Sequence, residues 1–260
     1  MLRLDHQNQR AVALARYLER HLDLSALPPD LCLVLGGDGT MLRAIRDLGH
    51  GHTFLGLNLG RVGFLMNDIE SQAAVVRLLA EGRYQVHDLP RLALQAWTEP
   101  QEQPDGGRRT EERVVNALAL NDVFVERMTA QSCHLRVTID GVSVVENLVC
   151  DGIIVATALG STAYSVSAGG PACHALLQTI HVTPICPFSP RLIPIALPLT
   201  SRVSIEPLSR AQRPVRAVAD GIGYQQVQRL EIGNSGLDVR LAYFEGHDFT
   251  ATLFRKVLLG

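Results

Sequence analysis

The run Leu31-Cys32-Leu33-Val34-Leu35 is unbroken apolar sequence of strand length, and it ends directly in Gly36-Gly37-Asp38-Gly39-Thr40. A strand that reads apolar at every position is buried on both faces, as a central strand of a parallel α/β sheet is. Pro28 and Pro29 separate it from residues 9–24, where Val12, Ala15, Leu18 and Leu22 form one stripe of an amphipathic helix. Beyond the glycines, residues 41–48 read as a helix with Thr40 placed to cap it. Residues 53–57 read as a second buried strand and 71–81 as a second amphipathic helix. Strand, turn, helix, strand, helix is the rhythm of a parallel α/β domain, and we expect a Rossmann-like one over residues 1–88. No clear opening strand precedes the first helix.

From about residue 89 the periodicity changes. Alternating stretches at 92–97, 114–125, 135–139, 142–145, 215–219 and 237–244 predict a β-rich, sandwich-like domain over residues 89–245. Asp-Gly pairs at 140–141, 151–152 and 220–221 are turn or hairpin signals within it. Residues 99–112 are polar, with Pro and two glycines, and predict a hairpin tip. The terminal segment 246–260 turns apolar again and is expected to pack back on the first domain. The expected fold class is therefore α/β plus β.

The glycine turn is the first candidate site. Glycine lets backbone approach a phosphate closely and take up positive φ without a Cβ clash. A following helix start adds unpaired N–H groups and the positive end of a dipole. Asp38 would stand at the carboxyl end of a parallel strand, where open α/β sheets bind ligands. A carboxylate repels phosphate, so its place in an anion-binding turn suggests work: binding Mg²⁺, or accepting a proton from an attacking hydroxyl. The bland alternative is a tight turn whose Asp bonds its own backbone. The spacing is neither Gly-x-Gly-x-x-Gly nor a P-loop.

Three further segments carry chemistry. Asn58-Leu59-Gly60-Arg61-Val62-Gly63-Phe64-Leu65 is a second glycine turn after a buried strand, and Phe64 offers a flat apolar face for a base or packs in the core. Asn121-Asp122 sets an amide beside a carboxylate inside an alternating apolar stretch; by itself the pair reads as a turn, though such a pair can also read an adenine edge and a ribose hydroxyl. Residues 151–171, Asp-Gly-Ile-Ile-Val-Ala-Thr-Ala-Leu-Gly-Ser-Thr-Ala-Tyr-Ser-Val-Ser-Ala-Gly-Gly-Pro, run from a buried strand into small and hydroxylated residues, with Tyr164 as an aromatic face.

These segments resemble the NAD kinase family. Gly-Gly-Asp-Gly-Thr after a buried strand is shared with diacylglycerol and sphingosine lipid kinases and, more loosely, phosphofructokinases. The motif at 58–65, the segment Ala119-Leu120-Asn121-Asp122-Val123 and the block 151–171 are similar to NAD kinases, and lipid kinases carry neither the first nor the last. The likeness extends through Thr183-Pro184-Ile185-Cys186-Pro187 and Asp220-Gly221, nearly the whole chain. It implies phosphoryl transfer to the adenosine ribose 2′-hydroxyl of NAD, from ATP or polyphosphate, with Mg²⁺ bridging the donor phosphates and no metal site fixed by the protein alone. It favours Asp38 as the base. The amides around Gly37 and Gly39 would hold phosphates, and Asn58 and Phe64 would contribute to nucleotide binding. Asn121, Asp122, Thr162, Ala163, Tyr164 and Ser167 would hold the NAD adenosine, and Asp151 the nicotinamide end. A homodimer or homotetramer is implied as well. The chain departs from the pattern at Ala158-Leu159, where the family usually has Pro then Thr or Ser, and at Phe188, where it commonly has His. A catalytically silent NAD(P)-binding paralogue and a lipid kinase are the rival readings.

Composition excludes other classes. With 24 basic and 26 acidic residues in 260, the formal net charge of −2 offers no patch argument for nucleic acid or an anionic membrane. No apolar run approaches the roughly 20 residues that span a bilayer. Five dispersed cysteines without a Cys-x-x-Cys pair argue against a disulfide framework and fit a reducing, cytoplasmic setting. His50 and His52 lie in a glycine-rich stretch that reads as a surface loop.

Overall fold

The computed structural model describes residues 1–60, 63–99 and 113–258. The expected hairpin tip at 99–112 lies almost wholly outside the described residues, as do Arg61 and Val62. The chain divides into two compact units, Met1–Leu89 with Leu237–Gly260, and Pro90–Gly236.

The first unit is built on a five-stranded sheet. Its strands are β1 (Leu2–Leu4), β2 (Leu31–Gly36), β3 (Thr53–Asn58), β4 (Tyr84–Leu89) and the late β17 (Val239–Phe244), in the order β1-β2-β3-β17-β4. The first four in that order run parallel, and β4 closes the edge antiparallel to β17. An opening strand thus exists, although at three residues it is too short to show a pattern. Residues 237–244, expected in the β-rich half, belong instead to this parallel sheet. Their alternation reports strand geometry and carries no information about which sheet receives the strand.

Helices α1 (Gln9–His21) and α3 (Gln72–Ala80) share one apolar cluster, with Leu14, Leu18, Val75 and Leu79 against Leu33, Leu55 and Ala242 of the sheet. Asn8 caps α1 by accepting from the Arg10 and Ala11 amides at 3.0 and 3.3 Å. On α2 (Asp38–Leu48), Met41 packs with Met66 over Gly56 of β3, where an added Cβ would stand 2.3 Å from the Met66 sulfur. The helix begins three residues earlier than expected. Thr40 is not its cap: it lies buried in the first turn, and Gly37 occupies the cap position with no side-chain bond. The terminal helix α5 (Phe249–Leu253) places Phe249 against His87 and Tyr243, with ring centroids 5.2 and 4.9 Å apart.

The second unit is an antiparallel sandwich. One sheet holds β6 (Arg113–Ala119), β5 (Leu92–Thr98), β16 (Val227–Asn234), β13 (Val203–Leu208), β8 (Cys133–Ile139) and β9 (Val142–Cys150), in that order. The other runs β12 (Ile195–Pro198), β11 (Thr179–Ile185), β10 (Gly152–Thr157), β7 (Asp122–Arg127), β14 (Val215–Ala219) and β15 (Ile222–Tyr224). Inward residues of both sheets form one cluster, among them Leu94, Leu135, Ile153, Val155 and Leu230. The Asp-Gly pairs at 140–141 and 220–221 make the expected hairpins, each with both residues at positive φ. Asp151-Gly152 does not: Asp151 is a one-residue link by which the chain leaves β9 in one sheet for β10 in the other. The stretch 114–125, one strand by its pattern, is likewise cut at Leu120-Asn121 into β6 and β7 of different sheets.

Asn67, 2% exposed, ties the first unit's sheet together. Its amide donates to the Gly56 and Ala242 carbonyls at 2.9 and 3.1 Å, and its oxygen accepts from the Phe244 amide at 2.7 Å. A buried polar group that loses its partner costs roughly 1–3 kcal/mol. Asn67→Ala is therefore expected to destabilise this unit by about 2–4 kcal/mol in chemical denaturation; a change under about 0.5 kcal/mol would show that these bonds do not join β3 to β17 energetically.

Candidate active site

In the first unit the two glycine turns are hydrogen-bonded to each other. The Leu59 amide donates to the Gly36 carbonyl at 2.8 Å, and a Cβ on Gly60 would come 3.6 Å from the Gly37 Cα. Asp38 is held from the second turn: its two oxygens accept the Phe64 and Leu65 amides at 2.9 and 3.1 Å. Each oxygen thus takes one of the two amides, which fixes the direction of the carboxylate. As the first residue of α2, it also sits at the positive end of the helix. Gly63 must stay small, since a Cβ there would meet Asp38 Oδ1 and Asn58 at 3.2 Å. At Gly37 and Gly39 a Cβ would meet nothing within 4 Å, so backbone there borders open space.

Asn58 is engaged inside this turn. Its amide donates to Asp68 at 3.0 Å and its oxygen accepts the Gly60 amide at 3.0 Å. Phe64 enters the site through its backbone, with a half-buried side chain. Tyr243 lies beneath, almost wholly buried. Burial first, and the Asp38 charge second, push its phenol well above the usual range, so it stays neutral.

The second unit gathers another set at one end of β10. Thr157 ends that strand, and its hydroxyl donates to the Leu120 carbonyl at 2.7 Å and accepts the Gly160 amide at 3.0 Å. Gly160 is obligatory, because a Cβ would fall 1.9 Å from the Asn121 carbonyl oxygen. Thr162 and Ala163 follow in a 3-10 turn, and α4 (Tyr164–Ser167) begins at Tyr164, whose ring meets Phe124 edge-on at 5.0 Å. Ser167 is exposed. Asp122 is 6% exposed; burial raises its carboxyl to about 7, the Asp220 charge adds to the rise, and the Tyr164 amide opposes it. Asn121, Asp122, Thr162, Ala163, Tyr164 and Ser167 thus share one end of β10.

Asp151 precedes the opposite end of β10, where it pairs with Arg127 at 2.6 Å; after burial and the charges of Glu126, Cys186 and Asp122, its charge also helps to raise the Tyr164 phenol. Leu159 is buried as core, and Phe188 is 83% exposed. Sequence reading gave no role to Asp220 beyond its turn, yet its carboxylate accepts the Leu120, Asn121 and Asp122 amides at 2.6, 2.9 and 3.3 Å. The separation of about 100 residues hides such a contact; the visible signals were its Asp-Gly turn and the family likeness at Asp220-Gly221. Of the cysteines, Cys133 and Cys150 face each other across β8 and β9 with sulfurs 3.7 Å apart, as free thiols. Among the described residues no group of three or more His, Cys, Asp and Glu could hold a metal ion, and no helix is long and apolar enough to cross a membrane.

A glycine-rich turn presenting a carboxylate at the end of a parallel strand, joined in one chain to a β-sandwich with an amide–carboxylate pair, defines a nucleotide-binding kinase architecture. Residues 5–84 match the ATP-NAD kinase N-terminal domain and residues 120–234 the ATP-NAD kinase C-terminal domain. An NAD kinase of Brucella suis is 39% identical over 205 residues, covering 78% of this chain and 74% of that protein. An Archaeoglobus fulgidus NAD kinase, solved in complex with ATP, superposes with a TM-score of 0.76 at 26% identity, covering 99% of this chain and 98% of that one. Yeast NADH kinase, solved with NADH, gives 0.74 at 27% identity over 88% of this chain, which spans 65% of that protein. The chain belongs to the NAD kinase family and is a phosphotransferase.

The raised carboxyl of Asp122 has a consequence for stability. The folded chain keeps this proton until about pH 7, whereas the unfolded chain releases it near the ordinary value of 3.8. Between those values the folded state binds more protons, so this contribution is fully present below about pH 4 and is lost as pH rises to about 7. The stability of the native chain relative to Asp122→Asn should therefore fall across that window in denaturant titrations. A difference that is flat with pH would contradict the burial of a protonated Asp122.

Proposed function

We propose that the chain phosphorylates the adenosine ribose 2′-hydroxyl of NAD with ATP as donor. The observation that carries this is the seating of Asp38: a carboxylate aimed by two backbone amides, at a helix start, between two glycine turns bordering open space. Asp38 takes the proton as the 2′-oxygen attacks the terminal phosphorus, the bond to the bridging oxygen breaks, and ADP leaves. The amides of Gly37 and Gly39 bind donor phosphates. Phosphoryl transfer demands positioning and charge neutralisation more than covalent chemistry, and a rigid carboxylate supplies the first.

Asp38 would face the Mg²⁺ carried by the donor's phosphates, and that ion would supply charge neutralisation. In the second unit Asn121 and Asp122 bind the NAD adenosine, with Thr162, Ala163, Tyr164 and Ser167 around them. Asp151, at the other end of β10, serves the nicotinamide end. Phe64 and Asn58 shape the turn that carries Asp38. A cytoplasmic homo-oligomer completes the reading, on family likeness.

Loss of a general base typically costs ~10²–10⁴-fold in rate. We expect Asp38→Asn to lose kcat on that scale while NAD still binds by calorimetry. Turnover near that of the native chain would remove Asp38 from the reaction, and NAD binding without any turnover of the native chain would favour a silent nucleotide sensor.

A further inference from the structure

Asp220 stands in the β14–β15 hairpin turn, and its carboxylate carries three successive amides of the loop where the chain passes from β6 to β7. Leu120 donates to one oxygen at 2.6 Å, Asn121 and Asp122 to the other at 2.9 and 3.3 Å. The Asp220 amide answers by donating to the Asp122 carbonyl at 3.1 Å. Converging backbone amides of this kind bind anions elsewhere in proteins; here the anion is part of the chain. Both side chains of the Asn121-Asp122 pair are therefore presented from a loop whose amides are held by one distant carboxylate, while Thr157 holds its Leu120 and Asn121 carbonyls.

We propose that Asp220 is a positioning residue of NAD recognition in this unit: it holds the backbone from which Asn121 and Asp122 reach the ligand, and it brings a second negative charge up to Asp122. The inference rests on the assignment of the Asn121-Asp122 pair to NAD. Among the described groups, the Tyr164 phenol is one whose titration the Asp122 charge affects. Asp220 approaches from the hairpin and the Tyr164 amide from α4, while β10 places the untitratable Ala156 opposite it and β14 brings Ala219 beside the next residue. A carboxylate accepts hydrogen bonds from a ribose hydroxyl or an adenine amino group, and a carboxylic acid donates one instead. Burial is the larger cause of the raised Asp122 carboxyl, and the like charge of Asp220 contributes in the same direction. The arrangement brings two carboxyl groups from different segments together, and three amides satisfy the one on Asp220.

The turn allows a clean test. Asp220 has φ of 43°, a left-handed conformation that Asn and Gly tolerate. Asp220→Asn keeps an acceptor and removes the charge; Asp220→Gly removes both. Carbon-13 titration of the Asp122 carboxyl in the nucleotide-free chain should show a midpoint near 7 in the native protein, lower by about one unit in Asp220→Asn. In steady-state assays with NAD and Mg-ATP, both variants should raise the KM for NAD about tenfold, with kcat within about threefold, the pattern of lost positioning on the substrate side. An Asp122 midpoint that does not move in Asp220→Asn overturns the proposal, as does a fall in kcat at unchanged KM. Should neither variant fold, a native midpoint near the ordinary 3.8 overturns it equally. An Asp122→Asn variant with unaltered KM for NAD would instead remove the NAD assignment of the pair, leaving the Asp220 coupling seen by titration intact.

Discussion

The site in the first unit depends on one interaction, the seating of the Asp38 carboxylate on the Phe64 and Leu65 amides. A free carboxylate at the start of a helix would swing to cap its own amides or stay in water. Two donors from a separate turn fix its direction, and the glycines at 60 and 63 let that turn come close enough to supply them. Much else in the unit can be understood as support for this contact. Asn67 bonds the strand leading into Phe244, and the Tyr243 ring fills the space below Asp38 and Phe64. The second unit repeats the device with Asp220, whose carboxylate is likewise satisfied by loop amides and thereby shapes a loop. In both, an acidic side chain organises backbone over a long sequence separation.

How legible this was depends on range. The strands β2 and β3 and the glycines at 36, 37 and 39 are local signals: an unbroken apolar run and residues without Cβ report burial and close approach wherever the chain goes. The parallel α/β class and the β-rich second half followed from such signals. So did the hairpins at Asp140 and Asp220, whose positive φ values suit Asp-Gly. Asp38 stood out because a carboxylate in an anion-binding turn needs a reason to be there.

The rest was set by contacts that leave no local trace. Alternation could identify 237–244 as a strand but could not place it beside β3, because the pairing partner lies nearly 200 residues away. The break at Leu120-Asn121 is invisible in an apolar, alternating stretch, since it is imposed by Asp220 from the far hairpin. Asp151-Gly152 misled for the opposite reason: a good turn signal stands at a crossing between sheets, where Gly152 is needed because a Cβ would stand 2.2 Å from the Val125 carbonyl oxygen. Thr40 resembled a cap by type and position, but Gly37 already occupied that role and the threonine side chain was needed inside.

The most direct measurement compares NAD⁺ with its adenosine 2′-deoxy analogue, each incubated with the purified chain and Mg-ATP, while phosphate transfer is followed by phosphorus NMR and binding by calorimetry. The account predicts that both bind, that NAD⁺ becomes NADP⁺ with the new phosphate on the 2′-oxygen, and that the analogue gives no product. Phosphorylation of the analogue, or tight NAD⁺ binding with no phosphorylated product, would contradict it.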